Sequence, residues 1–269
     1  MSDPKGEGFS MKKLATAIAA LGLLAGGSVA SACTLSAWSS QSGTAPAIGG
    51  PGDTVELARY SGICSMQAAG DDQFVQDNSP AAEGALIARF YFLASGSGDA
   101  TIYEAFSDEG AGSSVFSVSA DGTNVTVTPA SGSAASAAMK AGWNSVEVSW
   151  TAGGAISLWV NSDSTSAAAD GTGSDSGAAT VEAIQLGSLG GLGGFTSVNF
   201  DQYESRRTTA IGREVAGDGN ADGQVSVFDA IGIVGEVVNG TAAPGQPDCN
   251  EDGNVSVFDA ICVVQIVVN

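Results

Sequence analysis

Apolar and polar positions alternate with a period of two through the middle of the chain. Trp143–Trp150 is the clearest stretch: Trp143, Val146, Val148 and Trp150 are separated mostly by polar residues, the pattern of a strand with one buried face. Ala85–Leu93 reads as a strand heavy in aromatic residues. Thr101–Phe106, Ser114–Ala120, Thr123–Pro129, Ile156–Val160, Val181–Leu186 and Val198–Tyr203 read the same way. Asp121-Gly122, between two of these runs, is a strong signal for a tight hairpin. Gly153-Gly154 marks another turn, and the Ser/Ala/Asp/Gly segment 161–177 reads as a loop. About ten short strands joined by polar turns predict an antiparallel sandwich or jelly roll over residues 55–212.

Near residue 213 the pattern changes. Val227–Val238 has only Asp229, Gly232, Gly235 and Glu236 as non-apolar positions, and Val257–Val268 has only Asp259 and Gln265. These runs predict two helices, each more apolar than one buried stripe requires. Each follows a loop in which oxygen side chains recur. Asp218, Asn220, Asp222 and Asp229 return as Asp248, Asn250, Asp252 and Asp259, and 15 of the 22 positions from Asp218 to Asn239 match their partners 30 residues later. Counted from Asp218 or Asp248, the oxygens stand at loop positions 1, 3, 5 and 12. Gly223 and Gly253 stand at position 6, where the loop must turn sharply. That spacing suits a hard cation, which calcium exemplifies with its six to eight oxygen ligands. Three aspartates in each loop would repel one another without a cation, so binding is expected to be coupled to folding.

The totals sharpen this picture. The chain has 269 residues, 43% of them apolar, with 38 glycines, no histidine and a formal charge of −20. Nine basic residues in all give no footprint for nucleic acid. From Glu214 onward there are nine acidic residues and no basic one, which favours cation binding at that end. Arg206, Arg207 and Arg213, just before the acidic segment, read as solvated, with electrostatic docking of the module against the sheet domain as the alternative. No histidine is present to act as a base and no nucleophile motif occurs, so the chain is expected not to be an enzyme. Tyr103-Glu104 to Asp108-Glu109 is the nearest carboxylate cluster to the pair a glycosidase needs, and it reads better as a turn.

At the N-terminus, Lys12-Lys13 precede the apolar run Leu14–Ala25 and the small residues Ala30-Ser31-Ala32. This is the layout of a secretory signal over residues 1–32, with Met11 as a candidate start. It is too short for a membrane span, and the mature chain has none. A lipoprotein cut before Cys33 and a prepilin-type cut near Gly8-Phe9 are the alternatives. Residues 33–54, rich in Ser, Gly, Ala and Pro, read as a flexible leader. Secretion permits disulfides. Cys249 and Cys262 each replace a glycine of the first repeat, Gly219 and Gly232, and two changes in one copy suggest a mutual bond. Cys33 and Cys64 pair by elimination, unless Cys33 is lipidated and Cys64 left free.

The middle of the chain resembles the laminin-G-like, concanavalin-A-like jelly roll. The segments that carry the likeness are Tyr60-Ser-Gly62, Phe74-Val75-Gln76-Asp77, Ala88–Phe92, Trp143–Val148, Ile156–Asn161 and Phe200–Arg207. The resemblance implies two curved sheets, glycan or protein binding on the concave face or rim, and in many members a rim calcium. Asp77 or Asp201 could serve there, although turn carboxylates are the simpler reading. Asp218–Asn269 resembles the type I dockerin, two calcium loops each followed by one helix. This implies two calcium ions. The first would be held by Asp218, Asn220, Asp222, Asp229 and the Gln224 carbonyl. The second would be held by Asp248, Asn250, Asp252, Asp259 and the Asn254 carbonyl, with Ser226 and Ser256 acting through water. Dockerins usually present a Ser/Thr-type pair to a cohesin partner at loop positions 10 and 11, where this chain has Val227-Phe228 and Val257-Phe258. Those pairs therefore face either a more apolar partner or the chain's own sheet domain.

The expected fold is thus mainly β, a jelly-roll sandwich at 55–212 followed by a small helical module at 213–269. The leading function is a secreted, non-catalytic attachment protein, its module binding a cohesin-like partner and its jelly roll a glycan or surface. Two further expectations stand beside it: a component of extracellular polysaccharide breakdown, and a surface-layer or fibre subunit in which the module is an internal clasp.

Overall fold

The alternation at Trp143–Trp150 becomes the centre of a β-sandwich. The computed structural model of this chain describes residues 33–50 and 53–269, and the signal segment expected at 1–32 lies outside them. Strand β5 (Ala85–Gly96) pairs antiparallel with β11 (Asn144–Thr151), setting Phe90 opposite Val146, Ala88 opposite Val148 and Leu86 opposite Trp150. All six side chains lie in the main core. They are the inward positions of two neighbouring strands, as the period of two requires.

On one side of β11 lie β12 (Ala155–Val160), β13 (Gly171–Asp175) and β9 (Gly132–Ser133). On the far side of β5 lie β15 (Phe195–Arg206), β3 (Ser65–Ala68) and β2 (Ala47–Gly49). This eight-stranded sheet faces a seven-stranded one. The latter runs β1 (Ser40–Gln41), β4 (Gln73–Asp77), β14 (Ala183–Leu189), β6 (Ala100–Phe106), β7 (Ser114–Ala120), β8 (Asn124–Pro129) and β10 (Ala135–Ala138). The Asp121-Gly122 hairpin joins β7 to β8. Gly122 takes φ 82°, and Asp121 Oδ1 accepts the N–H groups of Thr123 and Asn124 at 2.8 and 2.6 Å. Those two bonds hold the Asp121 carboxyl below its ordinary value.

Three expectations change. Residues 33–50, read as part of a flexible leader, carry β1 and β2, and Leu35, Trp38 and Ile48 pack against the main core. Small polar residues there hide short edge pairings that only the neighbouring strands define. The segment 161–177, read as a loop, contains β13, whose Gly-Thr-Gly-Ser-Asp sequence has no apolar alternation because Ser133 and Ser174 meet across it. The structure also bonds Cys33 to Cys64 and Cys249 to Cys262. The free Cys64 of the lipoprotein alternative is therefore absent.

Helices α1 (Val227–Asn239) and α2 (Val257–Val268) follow the sandwich. Ser226 and Ser256 begin them with matched capping boxes, each hydroxyl accepting from the N3 backbone side while Asp229 or Asp259 answers the cap. Ala230, Ile233, Ala260 and Val263, with Cys249, form the small core between them. Residues 32–269 make one compact unit. Among the described residues no helix is long and apolar enough to cross a membrane.

Candidate cation loops and their seat on the sheet

The two loops superpose bond for bond. In the first, Asp218 Oδ1 accepts the Asp222 N–H at 3.1 Å and Oδ2 the Gly223 N–H at 2.7 Å. Asp229 Oδ1 accepts from Asn220 at 3.0 Å, and Oδ2 from Ser226 at 2.8 Å. In the second, Asp248 accepts from Asp252 at 3.1 Å and Gly253 at 2.8 Å, and Asp259 from Asn250 at 3.2 Å and Ser256 at 2.8 Å. Asn220 and Asn250 each accept the N–H two residues on, at 2.9 and 3.0 Å. Asp222 and Asp252 do the same for Gln224 and Asn254, both at 2.9 Å. The loops are therefore folded around their own oxygens.

Four of these carboxylates are sealed in. Asp229, Asp248 and Asp259 are 0% exposed and Asp218 is 7% exposed. None of them appears in an ion pair among the described residues. Burial pushes the Asp248 carboxyl up to about 7, and the charges of Asp259 and Asp252 push in the same direction. Buried charge without a counter-charge is costly, and a hard cation with oxygen ligands is the chemistry this donor set fits. Among the described residues no group of three acidic, histidine or cysteine side chains closes into a metal cluster by itself. The set that fits is mixed, with asparagine and backbone oxygen beside aspartate. Ser226 and Ser256 are engaged as helix caps.

The second loop does something the first does not. Its position 4 is Glu251, and it sits on the outer face of the eight-stranded sheet. Glu251 accepts the Tyr60 hydroxyl at 2.9 Å, and its two oxygens also take Lys140 Nζ and Arg213 Nη2. Its carbonyl accepts the Trp143 N–H at 3.2 Å. Burial alone would raise the Glu251 carboxyl, but Lys140, Arg213 and Tyr60 hold it below its ordinary value. Tyr60 stacks on Tyr91 with ring centroids 3.7 Å apart, and Trp143 meets Tyr60 edge-on. The backbone comes so close that a Cβ on Gly142 (φ 83°) would stand 2.3 Å from the Glu251 carbonyl oxygen. Gly253 lies against the Leu93 side chain, 3.2 Å from where its Cβ would be.

A second anchor holds the first helix. Arg59 Nη2 lies 2.6 and 2.5 Å from the two carboxylate oxygens of Glu236, with both side chains almost wholly buried. The linker between sheet and module is fastened too. Glu147, which points outward from β11, accepts the N–H groups of Ile211 and Gly212 at 3.0 and 2.7 Å. The Tyr91 hydroxyl accepts from Glu214 at 2.6 Å. The reading of the three arginines as merely solvated is therefore corrected: Arg213 pairs with Glu251, Arg207 with Glu83 and Arg206 with Glu204.

The apolar pairs are elsewhere. Val227, Phe228, Val257 and Phe258 are 51%, 71%, 50% and 67% exposed. Packing of these pairs on the chain's own sheet, one of the two expectations for them, is not what the structure shows. The module clasps the sheet through polar loop residues and leaves its helix faces to solvent.

The sandwich has a separate cleft of about 490 Å³ at its mouth, lined by Trp38, Tyr203, Asp77, Ser79, Gln202 and the Cys33–Cys64 bridge among others. The Trp38 and Tyr203 rings lie 5.2 Å apart and tilted. Asp77 accepts both the backbone and the hydroxyl of Ser79 at 2.8 Å. Asp201 accepts from Tyr60 at 2.6 Å, Ser61 at 3.1 Å and Gln202 at 2.8 Å. Both behave as turn and capping carboxylates. Burial pushes the Asp201 carboxyl up to about 7, against the pull of its three N–H donors. An acid held high favours the protonated fold, so its contribution is complete below about 3.9 and is lost as pH rises through about 7. Asp201→Asn is expected to flatten the melting temperature between about pH 4 and about pH 8. A variant profile parallel to the parent's would show that Asp201 is not the titrating group.

No family model matches the sequence, and no curated protein matches it. Solved structures do match by shape. The endo-beta-1,4-glucuronan lyase from the fungus Trichoderma reesei has a TM-score of 0.46 and 13% identity, with 65% of this chain and 92% of that one covered. The botulinum neurotoxin serotype G binding domain has a TM-score of 0.44 and 8% identity, with 62% of this chain covered. The serotype D ligand binding domain in complex with N-acetylneuraminic acid has 0.40 and 10%, again over 62% of this chain. This chain spans 44% and 43% of those two neurotoxin domains. At these scores no binding or catalytic role is taken from them.

Proposed function

We propose that this chain is a secreted, non-catalytic attachment protein built from a β-sandwich and a calcium-stapled, dockerin-like module. The observation that carries the reading is the pair of matched loops whose buried aspartates, Asp218, Asp229, Asp248 and Asp259, have no ion-pair partner among the described residues. Asp218, Asn220, Asp222, Asp229 and the Gln224 carbonyl would hold one ion. Asp248, Asn250, Asp252, Asp259 and the Asn254 carbonyl would hold the other. Calcium supplies the positive charge that offsets three carboxylates in each loop. The chain's own residues shape the loops through Gly223 and Gly253, cap the helices through Ser226 and Ser256, and seat the second loop through Glu251. The cleft beside Trp38 and Tyr203, with its aromatic faces and polar rim, is where we place a glycan contact. Two disulfides suit an oxidising, extracellular setting.

The anchors at Glu251 and Glu236 favour a second reading of the same module, an internal clasp within a surface or fibre subunit. The two readings are compatible, because the clasp uses the loops and leaves the helix faces free.

Calorimetric titration of the full chain with calcium is expected to show two ions bound and a rise in melting temperature. Asp222→Ala/Asp252→Ala is expected to lose both effects. A parent whose melting temperature and heat are indifferent to calcium would overturn the assignment.

A further inference from the structure

Among the described residues, the outer face of the two helices is an apolar surface that nothing yet accounts for. Thirteen Val, Ile and Phe side chains there are between 42% and 73% exposed. Together they leave bare on the order of 1,000 Å² of apolar surface, beyond the few hundred that monomers usually expose. The acidic residues of the helices, Asp229, Glu236 and Asp259, are all buried, so the exposed face carries no charge. A groove of about 510 Å³ runs along it between Ile231 and Val234 of one helix and Ile261 and Val264 of the other.

We infer that this face is a homodimer interface, in which two copies of the chain close their helix pairs into a four-helix bundle. The inference deepens the attachment reading by naming its partner, and it rests on that reading only in treating the module as an attachment device. Three observations select the second copy. The bare area exceeds the roughly 800 Å² that each partner contributes to a standard interface. A face without charge has nothing to repel its own copy, and it lacks the polar features that would select an unlike protein. Twofold closure also buries the same apolar face on both copies at once, so that neither copy is left with it in water. A bilayer is disfavoured, because interfacial helices use Lys and Arg beside their apolar face and this chain has no basic residue after Arg213.

Sedimentation equilibrium of the calcium-saturated full chain is expected to give twice the monomer mass, with a melting temperature that rises with protein concentration. Ile231→Glu/Ile261→Glu places like charges in the groove without touching a loop oxygen. It is expected to weaken dimerisation at least about 100-fold, the effect of two modest hot spots, while two calcium ions still bind. Should the variant fail to fold, the concentration dependence of the parent decides alone. A parent that stays monomeric overturns the inference, whether it remains free or floats with phosphatidylcholine vesicles. If that monomer still binds two calcium ions, the cation assignment stands and only the dimer falls.

Discussion

Glu251→Ala is expected to lower the stability of the full chain by about 3 kcal/mol, the low end for removing one partner of a buried ion network. For a chain of this size that is a fall in melting temperature of about 6–12 °C. The low end is chosen because Lys140 is 39% exposed and its share is screened. The loss has identifiable parts. Tyr60, wholly buried, is left without the acceptor of its hydroxyl. Arg213, only 24% exposed, loses the carboxylate it pairs with. The Trp143 N–H keeps its bond to the backbone, so the loop is weakened and not erased. The Glu251 carboxyl is held low. Its contribution is therefore present above the ordinary carboxylate value and is lost as pH falls through the lowered one, so the variant should lose part of the parent's acid sensitivity. Differential scanning calorimetry at neutral pH and at acid pH reads both effects. A neutral-pH change under 0.5 kcal/mol would mean that the second loop is not seated by this residue.

Glu236→Ala is expected to cost more, about 3–5 kcal/mol. Arg59 is 2% exposed at its side chain, and among the described residues its Nε and Nη1 already have no hydrogen-bond partner. Removing Glu236 leaves the whole guanidinium uncompensated and takes the acceptor from the Ala243 N–H, now at 2.7 Å. The decisive comparison is the double variant Arg59→Met/Glu236→Met. Replacing both members of a buried pair by apolar side chains is often nearly neutral. The double is therefore expected to be more stable than Glu236→Ala alone, as measured by chemical denaturation. Losses that simply add would show that Arg59 and Glu236 do not act as a unit.

The sequence made the sandwich legible wherever large apolar residues marked a strand. Trp143–Trp150 could be read because large apolar residues alternate with polar ones, and Ala85–Leu93 because it is a short apolar run heavy in aromatic residues. It failed where strands are made of small residues. The strands at Gly132–Ser133 and Gly171–Asp175 have almost no side chain to alternate, and their pairing is set by the sheet that receives them. The repeat exposed the loop oxygens, and through its two paired departures it exposed the Cys249–Cys262 bond. The anchoring of the module was legible only as the docking alternative for the three arginines, of which Arg213 takes that part. Arg59 and Glu236 are 177 residues apart, and nothing local marks either as a partner. Glu251 looks like one more acid in an acidic loop. One signal was available: it replaces Ala221 at a position where the two copies otherwise agree closely. Arg89, Tyr91 and Glu147 occupy outward positions that alternation assigns to solvent, yet the linker and module cover them.

Position 4 of the loops has one further consequence. Ala221 and Glu251 both take left-handed backbone, φ 60° and 56°, so the two copies share a shape at this position and differ there in side chain. A duplicated device would ordinarily have interchangeable arms. Here Glu251 fixes the second arm to the body of the protein through its loop, while the first arm is held at its helix by Glu236. Whatever approaches the module therefore meets a handed object with a defined top and bottom, and the direction in which it is presented is set by the protein before any encounter.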